Sequence, residues 1–319
     1  MIGDRRRLDW TLLVLFAGVP GAALALDEPY LLDLFARVLI FAIAAVSLDL
    51  ILGYGGLVSF GHAAFLGIGG YAVGMLYQHD LGSGFLQFPV AVLVSGVAAL
   101  AIGWVSLRTG GLYFIMITLA FAQMLYYLGI SLKVYGGDDG MRARRSEFFA
   151  PIDLNDQTQF YYLALAVLAL SLWLGRRLVN SRFGLALQGA RSNERRLRVL
   201  GVPVFRYRLT AFVIAGALCG LAGALFANLN EYASPSTMHW TRSGELIVMV
   251  ILGGVGTLTG PVLGALAFVL LESYLSEALE ALASGFGQHW QVVFGPLLVA
   301  VALFARGGLV GLLRPGRGE

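Results

Sequence analysis

The run Gly53–Gly74, GYGGLVSFGHAAFLGIGGYAVG, decides the fold of the whole chain. It holds eight glycines and one histidine in 22 residues, and most of the remainder are apolar. In water such a run makes a poor helix, because glycine loses more backbone freedom than other residues and has no side chain to bury. In lipid the demand is different. Helices there associate by close packing, and small residues let two backbones approach. Gly67, Gly70 and Gly74, with Ala63 and Ala64 one turn earlier, form a stripe of small residues suited to a partner helix. Gly53-Tyr54-Gly55-Gly56 has a second character: it breaks one helix, and Ser59, Gly61 and His62 start another. Irregular backbone at membrane depth persists only where protein or a wet cavity satisfies it. A helix restarting there points free N–H groups at the gap, which suits an anionic or polar group. Broken helices serve transporters in this way, with an opening at the membrane's middle.

Composition agrees with a lipid environment. Of the 319 residues, 58% are hydrophobic and 13% charged, with a mean hydropathy of +0.78. A soluble domain carries about 25% charged residues. Lys133 is the one lysine beside 21 arginines, and no glycine loop precedes it. A phosphate-binding P-loop needs that lysine, so no ATPase of that type is present. Cys219 is the sole cysteine and lies in an apolar run. It forms no internal disulfide, and no thiolate-rich metal site can be assembled around it. No cofactor or metal is expected.

Apolar runs predict helices near 8–26, 34–53, 57–78, 86–107, 111–131, 160–176, 208–231, 243–254, 261–283 and 289–305. The run at 243–254 is short and ends in glycines, which reads as a half-helix. Arg5–Arg7 followed by an apolar stretch ending in Ala23-Leu24-Ala25 has the shape of a secretory leader. The length of that stretch and the spans beyond it favour a retained first helix. Arginines collect on cytoplasmic loops. Nine of them, with Glu194 as the one acid, lie between Arg176 and Arg208. Residues 132–159 are balanced, with four bases and five acids, and read as an external loop. Arg5–Arg7 and Arg306, Arg314 and Arg317 put both termini on the cytoplasmic side. The net charge of +3 is therefore topological, and no nucleic-acid-binding groove accompanies it. Trp10, Trp104, Trp173, Trp240 and Trp290 all fall near predicted helix ends, as an aromatic belt does. The fold class is an all-α polytopic transmembrane bundle of about ten spans, read as one domain over 1–319.

A second glycine cluster, Gly253-Gly254-Val255-Gly256-Thr257-Leu258-Thr259-Gly260-Pro261, repeats the pattern of helix, break and new helix. Pro261 sits just inside the new start, where proline is well placed. An internal repeat and similar local demands both account for the likeness. Asp49 lies one turn before the first break, and acids inside spans face a cavity or a partner. His62 reads as a core histidine with its bonds met, or as a group on a translocation path. Gln123 and Glu272 read equally as pore lining or as structural bonds. Asn230, Glu231 and Glu245 read as exposed near the outer face. No Ser/His/Asp set or carboxylate pair can be placed on one surface, which leaves no enzyme chemistry.

The segment 182–208 reads RFGLALQGARSNERRLRVLGVPVFRYR. A short helix fits 193–200. Ser192 serves as its N-cap, Glu194 sits in its first turn, Gly201 ends it and Pro203 prevents its return. Leu197 and Leu200 share a face. A loop that only joins two spans needs no such helix. It is either a basic segment on anionic headgroups or a docking element for a cytoplasmic partner.

Four stretches carry a resemblance: LDLILGYGGLVSFGHAAFLGIGGYAVG (48–74), RTGGLYFIMITLAFAQM (108–124), SRFGLALQGARSNERRLRVLGVPVFRYRLTAFVIAGALCGLAGAL (181–225) and ILGGVGTLTGPVLGALAFVLLE (251–272). In order and content the chain resembles the LivM-type permeases of the branched-chain amino acid ABC transporters. The resemblance implies an inner-membrane permease that performs no catalysis itself. It implies a second, LivH-like permease, two cytoplasmic ATPase subunits and a periplasmic binding protein as partners. It also implies that 192–201 is the helix coupling the permease to an ATPase, through Ser192, Glu194, Arg195, Leu197, Leu200 and Gly201. Asp49, Gly55, Gly56, Ser59, His62, Gln123, Gly253, Gly254 and Thr257 are then candidates for the translocation path. Urea and short-amide permeases share this architecture. An ion-driven carrier using Asp49, His62 and Glu272, and a membrane scaffold, are rival readings. The carrier gives no reason for a capped helix in the arginine loop, and the scaffold gives none for polar residues beside broken helices.

Overall fold

A computed structural model describes residues 11–28, 30–148, 153–282, 292, 294–296 and 307–312. Helix α1 covers Thr11–Ala25. Helix α2 covers Tyr30–Asp49 and runs on into a π-helical turn, Leu50–Tyr54. Then come α3 (His62–Gln78), α4 (Gly84–Ser106), α5 (Leu112–Ser131) and α6 (Gln157–Val179). Two short helices follow, α7 (Arg182–Ser192) and α8 (Glu194–Val199). Helices α9 (Val204–Asn230), α10 (Trp240–Gly253), α11 (Gly260–Leu282) and α12 (Gly308–Leu312) complete the described chain. Among the described residues, six segments are long and apolar enough to cross a membrane: Tyr30–Tyr54, Gly84–Ser106, Leu112–Ser131, Gln157–Val179, Val204–Asn230 and Gly260–Ala281. The expected span at 289–305 lies almost wholly outside the described residues. A two-residue antiparallel pairing, Met141–Arg142 with Tyr232–Ala233, is the one sheet among the described residues and leaves the helical class unchanged.

The centre is α2. It is apolar all round, and Val38, Leu39, Ile40, Ala42, Ile43, Ala44 and Ala45 are buried on every side. Helices α6, α9, α10 and α11 pack around it. Helix α9 in turn rests on α3 and α4. Small residues set that contact. A Cβ on Gly69 would meet the Gly220 carbonyl, and one on Gly223 would meet the Leu66 carbonyl. The expected stripe is thus partly misassigned. Gly67 faces Met238 and Gly74 faces Met141, while Gly69, left out of the 67/70/74 spacing, makes the closest approach to α9. Helix α3 is crowded on several sides, so no single stripe describes it.

Both breaks are present. Helix α3 starts at His62 rather than near 57, and His62 bonds Ser47 of α2. Ser47 lies seven residues before Tyr54, so α3 begins about 10 Å back along α2 from its end. Residues 55–61 climb that distance without regular structure, with Gly56 exposed and Leu57, Ser59 and Gly61 buried. Helix α10 has 14 residues. It spans roughly 21 Å, short of the ~30 Å hydrocarbon layer, as a half-helix must.

Trp104 and Trp173 are exposed near helix ends, with the guanidiniums of Arg108 and Arg177 over their rings at 5.4 and 5.6 Å. Trp104 also meets Phe205 at the start of α9. That end of the bundle carries α7 and α8 and is the arginine-rich end.

Candidate functional site

Helix α7 begins with the Ser181 side chain accepting the Gly184 N–H, and it buries Gly184, Leu187 and Ala190. Its last turn reaches Ser192, whose hydroxyl bonds back to the Gln188 carbonyl. Ser192 therefore does not cap α8, contrary to expectation. Asn193 does so, because its backbone is extended and its Oδ1 accepts the Arg196 N–H at 3.0 Å. At the other end the Val202 N–H bonds Leu197 O at 3.1 Å, and the Gly201 N–H bonds Arg198 O at 3.0 Å. This is a Schellman closure, and Gly201 supplies the left-handed residue it requires at φ 79°.

Glu194 ties α8 to the bundle. One carboxylate oxygen takes Arg198 on the same helix, and the other takes Arg208 of α9 at 2.7 Å. Arg208 also donates to the Ala190 carbonyl of α7 at 3.2 Å. Partial burial alone would raise the Glu194 carboxyl, but Arg208 and Arg198 outweigh it and hold the group below its ordinary value. Leu197 folds inward onto Gly189 of α7. Leu200 does not share that face, because it closes the helix as its C-cap. Val199 and Leu200 stand out at 88% and 70% exposure. Arg195 is exposed as well.

The two glycine breaks meet each other. Asp49 Oδ1, at the end of α2, accepts the Gly256 N–H from the α10–α11 loop at 2.8 Å. Arg191, the penultimate residue of α7, donates to the Gly53 carbonyl. Its aliphatic stem lies where a Cβ on Gly56 would fall, and its guanidinium faces Gly256. Asp49 Oδ2 is buried without a hydrogen-bond partner among the described residues. Gly53, Gly56 and Gly256 therefore converge at the arginine-rich end, and only residues 57–62 run deeper. The opening expected at mid-membrane from Gly53–Gly56 is corrected in this respect.

The deeper segment is held by several bonds. Helix α3's first N–H groups were expected to face a gap. Ala63 N–H is instead taken by Ser243 Oγ of α10 at 2.9 Å and Ala64 N–H by the Gly61 carbonyl, while just before the helix Phe60 N–H goes to Thr118 Oγ1 of α5 and Gly61 N–H to Ser59 Oγ. His62 Nε2 lies 2.8 Å from Ser47 Oγ. The Ser47 hydroxyl also bonds the Ala44 carbonyl. His62 Nδ1 is buried without a partner among the described residues. Thr257 donates to the Gly254 carbonyl at 2.6 Å, and Gly253 is crowded by the Gly260 backbone, so both belong to the loop itself. Gly55 is likewise packed on the Ile51 carbonyl. Gln123 is half-buried on α5, and its Oε1 has no partner among the described residues. No described hydrogen bond joins it to the Asp49 junction. Glu231 is exposed and pairs with Arg145 at 3.5 Å.

Residues 30–302 match the family model described as branched-chain amino acid transport system / permease component. The chain belongs to that family. Among its relatives, the permease protein LivM of a high-affinity branched-chain amino acid transport system in Salmonella typhimurium is 30% identical, over 89% of this chain and 70% of that protein. A probable branched-chain amino acid permease LivH of Methanocaldococcus jannaschii is 28% identical over 46% of each chain. The autoinducer 2 import permease LsrC of Yersinia enterocolitica is 28% identical over 47% of this chain and 42% of its own. No solved structure matches the chain.

This permease is a multi-pass membrane protein and a transport subunit. Among its residues, Arg191, Arg208, Gly256, Ser243, Thr118 and Ser47 organise the two regions just described, and none was singled out for that from sequence. Arg191 and Arg208 were read only as members of a charge run. Helix α7 was missed altogether, although Ser181 before Phe183, Leu187 and Ala190 is a legible start signal.

Proposed function

We propose that this permease is the membrane subunit of an ATP-driven importer for branched-chain amino acids or related small polar solutes. It forms one permease domain in the inner membrane, with both termini and the 182–208 loop on the cytoplasmic side. It pairs with a LivH-like second permease, two cytoplasmic ATPase subunits and a periplasmic binding protein, and it hydrolyses nothing itself. The observation that carries this reading is α8. A six-residue helix closed at both ends, and pinned to α9 through Glu194–Arg208, is far more than a turn between spans requires. It presents Val199 and Leu200 outward amid arginines. Apolar side chains displayed on a rigid tip are what a partner's cleft takes up.

The test is Val199→Asp with Leu200→Asp in the complete reconstituted complex, read as ATP hydrolysis and uptake of radiolabelled leucine. Both side chains are exposed, so the permease itself should insert and fold as before. Affinity for the ATPase should fall at least about 30-fold, the scale of a buried interface anchor. Both activities should fall with it. Unchanged uptake, or transport by the permease with no ATPase present, overturns the proposal. If the wild-type complex carries another small solute and no leucine, only the substrate part fails.

A further inference from the structure

Arg191 occupies a position that the coupling role of α8 leaves unused. It is two residues before Asn193, the cap of α8, and so moves with that helix. Yet its side chain points away from α8 and into the meeting point of the two broken helices. The guanidinium donates to the Gly53 carbonyl, in the final π-turn of α2. The same group lies beside Gly256, which is held by Asp49 through its N–H. The Arg191 stem fills the space over Gly56. Gly56 and Gly256 both adopt left-handed φ, at 68° and 76°, so neither loop can be tightened by an ordinary residue. One side chain from the cytoplasmic loop thus bonds one break and lies beside the other. Glu194 and Arg208 hold α8 to α9, but they reach neither break.

The geometry points to Arg191 as a positioning residue for transport: the strut through which displacement of the α7–α8 loop moves the Gly53–Gly56 and Gly254–Gly256 breaks together. The inference rests on the ATP-driven reading above and deepens it. A π-turn and two glycine loops are deformable backbone, whereas α2 is packed on all sides and most of the spanning part of α9 is buried. A small shift of α8 is therefore expressed at the breaks sooner than in the spans. Asp49 meets the same junction from the other side, through the Gly256 N–H that its Oδ1 accepts beside the guanidinium.

The experiment compares Arg191→Ala, Arg191→Lys and Asp49→Asn in the reconstituted complex. The readout is the ratio of leucine imported to ATP hydrolysed, since a merely structural role lowers both together. In Arg191→Ala hydrolysis continues while uptake falls about tenfold, the loss expected when one charge-assisted bond no longer links two states. Arg191→Lys keeps a donor that can reach the Gly53 carbonyl and recovers part of the ratio. Asp49→Asn keeps the acceptor for Gly256 but removes the ionisable carboxyl beside Arg191, and lowers the ratio in the same direction. It is the variant to read if Arg191→Ala fails to insert. An unchanged ratio in Arg191→Ala, or an equal loss of both activities, overturns the inference. Failure of the parent reading looks different: there Val199→Asp with Leu200→Asp leaves hydrolysis and uptake intact.

Discussion

At the scale of single residues, the polar groups of this permease are assigned to structure more often than to an open path. Ser243 shows this best. It is buried on α10, and its hydroxyl oxygen takes the Ala63 N–H at the head of α3. The first N–H groups of a helix have no partner within the helix, and in lipid nothing else would supply one. Ser243→Ala should therefore cost about 1–3 kcal/mol, the penalty of a buried unpaired amide. Thermal unfolding in detergent measures it, and a neutral result would mean that water reaches Ala63. His62 tells a related story. Its type and position marked it in the sequence, but its partner is Ser47, 15 residues away on another helix. No local pattern announces such a pairing.

At the scale of elements, glycine is used for two purposes. Along α3 and α9 it permits contact. Gly69, Gly220 and Gly223 bring two backbones within touching distance, and Gly216 sits on Ala99 of α4 in the same row. A Cβ at Gly220 would strike Ser95 of α4, so Gly220→Val should separate α9 from α4. We expect a loss of at least about 2 kcal/mol, the scale of overpacking in a close-packed interior. Thermal unfolding and protease sensitivity would report it, and a variant as stable as wild type would refute the contact. At the breaks, glycine permits turns with left-handed backbone. The existence and order of the long helices were legible, because runs of 20 or more apolar residues admit one reading. The half-length of α10 was legible from the glycines that stop it. The cap of α8 was missed by one residue. Ser192 and Asn193 are both competent caps, and only the run of α7 up to Ser192 decides between them.

At the scale of the whole molecule, the arginine-rich end is where α8 and the two breaks come together. The proposed topology puts this end inside the cell. Cys219 is fully buried and forms no disulfide, so a single introduced cysteine would be the one reactive thiol. Leu200→Cys should be labelled by an impermeant maleimide only in inside-out vesicles. Asp138→Cys, on the opposite loop, should be labelled only in right-side-out ones. The reverse pattern would invert the topology and remove the ground for an ATPase at α8.

The sequence by itself determined the solvent, the helical class, the order of the described long helices and their breaks, and a short capped helix in a basic loop. These follow from local quantities: hydrophobic run length, glycine and proline placement, and charge bias. Only the tertiary structure decided what the breaks touch. Asp49 and Gly256 are separated by 207 positions, Arg191 and Gly53 by 138, and Ala63 and Ser243 by 180. Their bonds arise because α2 lies at the centre and α6, α9, α10 and α11 are wrapped around it. Which ends then coincide depends on how those helices are stacked in depth, and stacking is a property of packed surfaces that no stretch of the chain carries alone.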